Sequence, residues 1–447
     1  MKQITVDFAR KYGNVKPMHA VNNGPLPVNV RGTSNNDLYR KLEIPYARNH
    51  DASFCWDYGG EHIVDVHRIF KNFDADENNP ASYVFEPTDK YVKETFDAGT
   101  KVFYRLGASI EHKYKYGTYP PKDFHKWARI CEHIIRHYTE GWADGFNYDI
   151  EYWEIWNEPE CRNADGSNPC WQGTEEQFIE LYSVAATHLK SCFPHLKIGG
   201  PAFTGPWRDA FKRNFLRNVK ENNIPLDFYS YHCYAKTPRG IYEAAVEAKE
   251  ALKEFGLENA ETILNEWNYV KGWLGDEWKH SLNAWKGLKG ASFITGSMCA
   301  CQYSPLDMLM FYEARPCGMC ALFETDRPWI ALKGYYPFKM FSELYKLGES
   351  AEVQCDDGEI YSAAAMNDNK AAIMFTYFAD ETEEKSKEIS ININNLGFLD
   401  DVKIKYYLLD ETNDLALVKE EVLSGNSYAT VINCELYSSY FITIEKM

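Results

Sequence analysis

Two stretches of the chain, YWEIWNEPE (152–160) and ILNEWN (263–268), each carry an Asn-Glu pair at the end of a β-forming run: Asn157–Glu158 and Asn265–Glu266. A lone glutamate in such a place reads as a solvated loop carboxylate. Two at matching strand ends read differently, because two facing carboxylates are what glycosidic bond cleavage requires. One protonates the leaving oxygen, and the other attacks the anomeric carbon or activates water. A carboxylic acid set against aromatic rings holds its proton nearer neutral pH. Trp153, Trp156 and Trp267 supply such surface, although strand alternation turns some of them outward.

Such a pair needs a scaffold, and the hydrophobic pattern supplies one. Eight short runs read as buried strands: KPMHAV (16–21), EIPYARNHD (43–51), KVFYRLG (101–107), EYWEIWNE (151–158), KIGGPA (197–202), DFYSYHCY (227–234), ETILNEW (261–267) and DMLMFYEA (307–314). Amphipathic segments separate them. After Pro120 and Pro121, residues Phe124, Trp127, Cys131, Ile134, Ile135 and Tyr138 recur at helical spacing. Thr174 and Gln177 form a capping-box pattern ahead of the stripe Phe178, Leu181, Tyr182, Ala185 and Leu189. Further helices are expected over 88–98, 208–222, 240–255, 281–303 and 334–348.

This alternation predicts an α/β chain: a (β/α)8 TIM barrel over 16–349, with active residues at the C-terminal strand ends. The strand count puts Glu158 after strand four and Glu266 after strand seven. From 350 to 447 the pattern changes to period two, with turn signals between strands, which predicts a C-terminal antiparallel β-sandwich domain. The leading segment 1–15, containing QITVDF, is expected to add a strand to it.

Composition narrows the partners. With 48 basic against 65 acidic residues, the net charge of −17 argues against a nucleic-acid partner. No run of 18 apolar residues occurs, so no membrane partner is expected. The segment MKQITVDFARKYGN has no apolar signal core, so a chain starting at Met1 is expected in the cytoplasm, with its 12 cysteines mostly reduced and buried. The sequence leaves the oligomeric state, homo-oligomer included, open.

YWEIWNEPE resembles the acid/base motif of the glycosidase clan with catalytic glutamates on strands four and seven, and ILNEWN resembles its nucleophile strand. The order of the other strands is most similar to glycoside hydrolase family 39, which contains β-xylosidases and α-L-iduronidases. IPYARNHD (44–51) is similar to that family's second strand, and DFYSYHCY to its sixth. The resemblance implies an exo-acting, configuration-retaining hydrolase of plant- or host-derived oligosaccharides, β-xylosidase-like by default, with Glu158 as acid/base and Glu266 as nucleophile. Arabinosidase-type or α-L-iduronidase-type specificity, an inverting hydrolase and a non-catalytic carbohydrate-binding protein are the alternatives. Asn157 is expected on the sugar 2-hydroxyl, His50 and His232 on hydroxyls of the terminal sugar, and Arg48 on a catalytic carboxylate. Tyr234, Trp267 and Tyr312 are expected to line the pocket. No cofactor and no metal are expected.

Three other patterns are weaker. Asp74, Asp76 and Asn78 open a calcium-loop spacing that lacks its glycine and its final glutamate. His133 and His137 lack the intervening glutamate of a zinc helix. Cys299, Cys301, Cys317 and Cys320 have zinc-like spacing, but strand eight lies between the two pairs and the first pair lies in an apolar helix-like run. Cys161 and Cys170, flanking a polar loop after Glu158, would be the first disulfide candidates in an exported chain.

Overall fold

The computed structural model describes residues 1–26, 32–51, 62–111, 113–398 and 401–447. Strand β1 (Lys2–Asn14) precedes eight strands that close into a barrel: β2 (Ala20–Asn22), β3 (Tyr46–Asn49), β4 (Lys101–Leu106), β5 (Tyr152–Ile155), β6 (Lys197–Phe203), β7 (Phe228–Ala235), β8 (Glu261–Tyr269) and β9 (Met308–Phe311). Neighbouring barrel strands pair in parallel, and β9 closes on β2. Each run read as a strand overlaps one of these elements.

The helices also follow the apolar stripes. The Pro120–Pro121 signal precedes the helix Phe124–Thr139, whose N-cap Asp123 accepts a hydrogen bond from the Lys126 amide. The Thr174–Gln177 capping box is formed in full at the start of Glu175–Cys192. The single helix expected over 281–303 is two, Gly275–Lys286 and Leu288–Gln302, because Gly287 adopts an extended backbone between them. The second is buried nearly all round, since it lies between the barrel and the C-terminal domain.

That domain adds β10 (Glu349–Cys355), β11 (Ile360–Met366), β12 (Lys370–Tyr377), β13 (Ser386–Asn394), β14 (Val402–Leu409), β15 (Asp414–Leu423), β16 (Tyr428–Glu435) and β17 (Ser439–Lys446). Its strands form one nine-stranded sheet in the order β15-β14-β17-β12-β11-β10-β1-β13-β16. An antiparallel β-sandwich joined by segment 1–15 was the expectation; β1 does join this domain and makes its sheet continuous. It pairs antiparallel with β10 and parallel with β13, and so joins the β13–β16 pair to the rest. Ile4, Val6 and Phe8 of β1 pack with Ile373, Ile391, Ile404 and Ile442 in this domain's core.

Inside the barrel, inward residues form three levels. The lowest is apolar: Ala20, Phe103, Tyr152, Phe228, Ile263, Met308 and Met310. One inward step along the strands lie Asn22, Arg48, Arg105, Glu154, Ser230 and Asn265, all fully buried. The top level, at the C-terminal strand ends, holds the candidate site.

Truncating Ile4, which is fully buried, should cost about 2–5 kcal/mol through lost burial and an unfilled cavity. Urea unfolding of Ile4→Ala checks this; a change below about 1 kcal/mol would contradict the packing described for β1.

Candidate active site

Glu158 lies three residues beyond β5, and two left-handed backbone positions aim it. Trp156 has φ 78° and Glu158 φ 47°, a region costly for residues with a β-carbon. The turn is pinned from both sides: the Glu158 amide donates to the Ala202 carbonyl (2.9 Å), and the Glu158 carbonyl accepts from the Cys161 amide (3.0 Å). Trp156 points outward, packing on Trp127 and Trp171 and donating to the Cys170 carbonyl at 3.0 Å.

Glu266 reaches the mouth by a different device. Along β8, Ile263 faces inward and Leu264 outward. Strict alternation would then send Asn265 inward and Glu266 outward. The pairing with β7 runs Tyr231–Leu264 and then His232–Glu266, which leaves Asn265 as an extra residue. This bulge lets both Asn265 and Glu266 face the barrel interior. It also turns Trp267 away: the expected pocket-lining Trp267 is fully buried, packed on Phe293 and Phe311 in the helix layer. Period-two reading without the bulge put it on the wrong side.

The two glutamates meet at one imidazole nitrogen. His232 Nδ1 lies 2.7 Å from Glu158 Oε1 and 2.6 Å from Glu266 Oε2. The ligating atoms of the three residues lie within 4.8 Å of one another. His232 is fully buried, and its Nδ1 bridges both carboxylates, a role its own strand does not display, while its Nε2 has no protein partner among the described residues. Burial alone would lower its pKa. The Glu266 charge, the hydrogen bonds to both glutamates and the Glu158 charge overcome that and raise it to about 10. Glu266 itself is raised by burial and by the Glu158 charge, against the pull of His232 and Arg48. Glu266 and His232 therefore do not titrate independently.

Arg48 does not contact either of these carboxylates. Its Nε donates to Glu154 at 2.7 Å, and its terminal nitrogens donate to Asn22 Oδ1 (3.1 Å) and Asn157 Oδ1 (2.8 Å). This corrects the sequence expectation, and the reason is depth: Arg48 sits one level below the mouth. Because arginine only donates, the Asn157 oxygen is fixed downward and its amide NH2 is left to face the mouth. Glu154 also accepts from Ser230 Oγ (2.6 Å) and Asn265 Nδ2 (2.5 Å).

His50 is likewise committed to protein partners. Its Nδ1 accepts from Arg105 Nε (3.0 Å), and its Nε2 lies 3.1 Å from Asp51 Oδ1. Burial, reinforced by the Arg48 and Arg105 charges, holds it well below its usual pKa, so it is neutral and carries its proton on Nε2. Both ring nitrogens of His50 thus face protein groups, and Nε2 orients Asp51, whose other oxygen accepts from Tyr312 OH at 2.6 Å. Asp51 comes within 4.8 Å of Glu266 through its ligating oxygen, although the sequence did not single it out.

Tyr234 and Tyr312 are half-buried at the mouth. Burial and the charges of Glu266 and Glu158 push the Tyr234 phenol up. Its ring meets Trp273 edge-on at 4.9 Å, and Trp273 stacks on Trp278 at 5.4 Å, so an aromatic shelf leads outward from it. Sequence reasoning also missed Trp273, which follows β8 in a loop and is 53% exposed.

The weaker patterns separate in space. His137 is engaged by the Trp142 carbonyl and Asp89, while His133 bonds the Arg129 carbonyl. Cys299 Sγ reaches the Met374 carbonyl, whereas Cys317 Sγ reaches Glu313. Asp74 pairs with Lys122, and Asp76 accepts from the Asn78 amide within its own turn.

The family model for glycosyl hydrolases family 39 matches residues 6–273, and the chain belongs to that family. It is 28% identical over 246 residues to a β-xylosidase of Geobacillus stearothermophilus, an overlap of 52% of this chain and 44% of the relative. It is 28% identical over 200 residues to a β-xylosidase of Caldicellulosiruptor saccharolyticus, covering 39% and 38% of the two chains. The matches thus span less than half the length of these relatives. A glucosidase structure from Croceicoccus marinus superposes with a TM-score of 0.80 at 20% identity, covering 100% of this chain and 99% of that one, and shares the fold.

The His232 arrangement sets a pH dependence. A group whose pKa rises from 6.5 to about 10 on folding stabilises fully below 6.5, and that contribution is lost as pH climbs toward 10. The thermal midpoint of the native protein should therefore converge on that of His232→Asn across this range. Parallel curves would contradict the charged bridge.

Proposed function

We propose that this protein is a retaining, exo-acting glycoside hydrolase of β-xylosidase type. The observation that carries the reading is the shared His232 contact, with the two glutamate oxygens within 4.8 Å of each other. Retaining pairs lie about 5–5.5 Å apart, and inverting pairs about 6.5–9.5 Å, the gap a water needs. The names of the two β-xylosidase relatives support the sugar.

In this reading Glu266 attacks the anomeric carbon as the bond to the leaving oxygen breaks. That oxygen takes the proton of Glu158. The Glu158 carboxylate then removes a proton from water, and the resulting oxygen nucleophile displaces Glu266 from the anomeric carbon. His232 and Arg48 offset the cost of a charged Glu266 in a buried place. The Asn157 amide NH2 is free to donate to the sugar 2-hydroxyl, a bond that strengthens in the transition state. Glu158, Glu266, Asp51 and Glu313 make the surroundings acidic, and Arg48, Arg105 and Arg315 are each committed to protein acceptors. This favours a neutral sugar over a uronate.

Hydrolysis of an aryl glycoside panel tests the reading: β-D-xyloside, both α-L-arabinosides, β-D-glucoside, β-D-galactoside and α-L-iduronide. Glu266→Gln should abolish turnover of whichever member is cleaved. Glu158→Gln should lose roughly 10²–10⁴-fold on poor leaving groups and far less on activated aryl ones. The first-formed sugar should keep the substrate's anomeric configuration by proton NMR. An inverted product would overturn the mechanism, and tight binding with no turnover would favour a carbohydrate-binding protein.

A further inference from the structure

Beside Glu158, on the side away from His232, the structure brings together two thiols. The ligating atoms of Glu158, Cys161 and Cys170 all lie within 4.8 Å of one another. Cys170 Sγ is 4.0 Å from Glu158 Oε2. The backbone sets both sulfurs in place. Cys161 closes the turn onto the Glu158 carbonyl at 3.0 Å. Cys170 is returned to the same spot by Asn168, whose Nδ2 donates to the Pro159 carbonyl (2.7 Å) and whose Oδ1 accepts from the Cys170 amide (2.7 Å). The Cys170 carbonyl is held in turn by Trp156 Nε1.

We propose that Cys161, Cys170 and Glu158 form a binding site for a thiophilic divalent cation, zinc being the representative, and that its occupancy takes Glu158 out of service. Zinc bound at about 2.3 Å to two thiolates and at about 2.0 Å to a carboxylate oxygen sets sulfur about 3.8 Å from sulfur and about 3.5 Å from oxygen in a tetrahedron. The observed 4.0 Å between Cys170 Sγ and Glu158 Oε2 needs a contraction of about half an ångström to meet that geometry. Three protein ligands leave the fourth position to water. Glu158 is 17% exposed and Cys161 half-buried, which gives the ion an approach from the mouth. Binding exchanges two thiol protons for the metal, with no oxidation of sulfur.

Among the described residues three other clusters compete for an ion. Glu158, His232 and Glu266, and likewise His50, Asp51 and Glu266, offer a nitrogen and oxygens but no sulfur. Glu132, His188 and Cys192 offer a single sulfur on the outer helices, where Arg136 already holds Glu132 at 2.8 Å. Among the described residues only the proposed site supplies two thiolates.

The loss of activity on binding rests on the reading of Glu158 as proton donor; the binding itself does not. The test titrates the full chain, kept reduced by a phosphine, with Co2+ and then Zn2+. One equivalent of Co2+ should give an intense near-ultraviolet thiolate-to-cobalt charge-transfer band, which Zn2+ bleaches. Hydrolysis of a poor-leaving-group substrate, a disaccharide ending in β-D-xylose, should fall in step with zinc occupancy, because that step needs the Glu158 proton. Cys161→Ser/Cys170→Ser should keep its basal hydrolysis while losing the band and the inhibition. The single Cys161→Ser, at a half-buried position, provides the same comparison if the double variant folds poorly. Losing a direct ligand should weaken zinc by more than the roughly tenfold that losing an outer partner costs. A missing band in the native protein, or band or inhibition that survives in the double variant, overturns the site. Zinc binding at the thiols without inhibition keeps the site and overturns the proton-donor reading of Glu158.

Discussion

Arg48 and Glu154 meet at 2.7 Å with neither side chain exposed to solvent. Such a pair costs several kcal/mol per ion to bury, and Coulomb attraction offsets this only when the remaining donors and acceptors are also satisfied. Here they are. Glu154 accepts from Arg48, Ser230 and Asn265, and Arg48 donates onward to Asn22 and Asn157. The network links β2, β3, β5, β7 and β8, so it fixes the relative height of five barrel strands just beneath the mouth. Asn157 and Asn265 belong to it, and each immediately precedes one of the paired glutamates. The Asn-Glu pairs are thus units in which the first residue is anchored below and the second is presented above.

His232 completes this presentation from the side. Two carboxylates held this close repel, and burial adds a desolvation cost for each charge. A single nitrogen touching both lowers the cost of keeping them together, which the scaffold alone would have to supply as strain. Some strain is present as well: the left-handed backbone at Trp156 and Glu158 persists because Trp156 is locked among Trp127, Trp171 and the Cys170 carbonyl.

The barrel was legible in the sequence because each strand is a short apolar run between amphipathic helices, and both signals are local. The two glutamates were legible for the same reason, through their place at strand ends. Residues in the middle level were harder. Glu154 stood inside the quoted YWEIWNEPE string, and Arg105 is a charge within the apolar part of β4, two residues beyond Phe103; both carried a period-two signal for an inward charge. Trp267 was misplaced because a bulge is a property of pairing between strands, and the residue series of β8 alone does not display it. His50 and His232 were rightly placed at the mouth, but their partners come from other strands and were not visible in either segment. That segment 1–15 adds a strand to the second domain was legible in its alternation; its place between β10 and β13 was not, because register and neighbours are properties of pairing.

The place of β1 has a consequence for how the chain is made. Ile4 pairs with Cys355 on one side and Ile391 on the other. At a ribosomal pace of about 5–20 residues per second, β1 waits roughly 20–70 s for its first partner to be synthesised. Seven of the eight barrel pairings join strands consecutive in the barrel series and form far sooner, whereas the closing β2–β9 pair waits nearly as long, so for most of the interval a 13-residue strand with an apolar face hangs unpaired from the growing barrel. During that interval β1 is an open edge on a tethered chain, available to other nascent copies on the same message. Arg10 and Lys11, charged and exposed at its outer half, are suited to guard that edge until the second domain emerges to cover it.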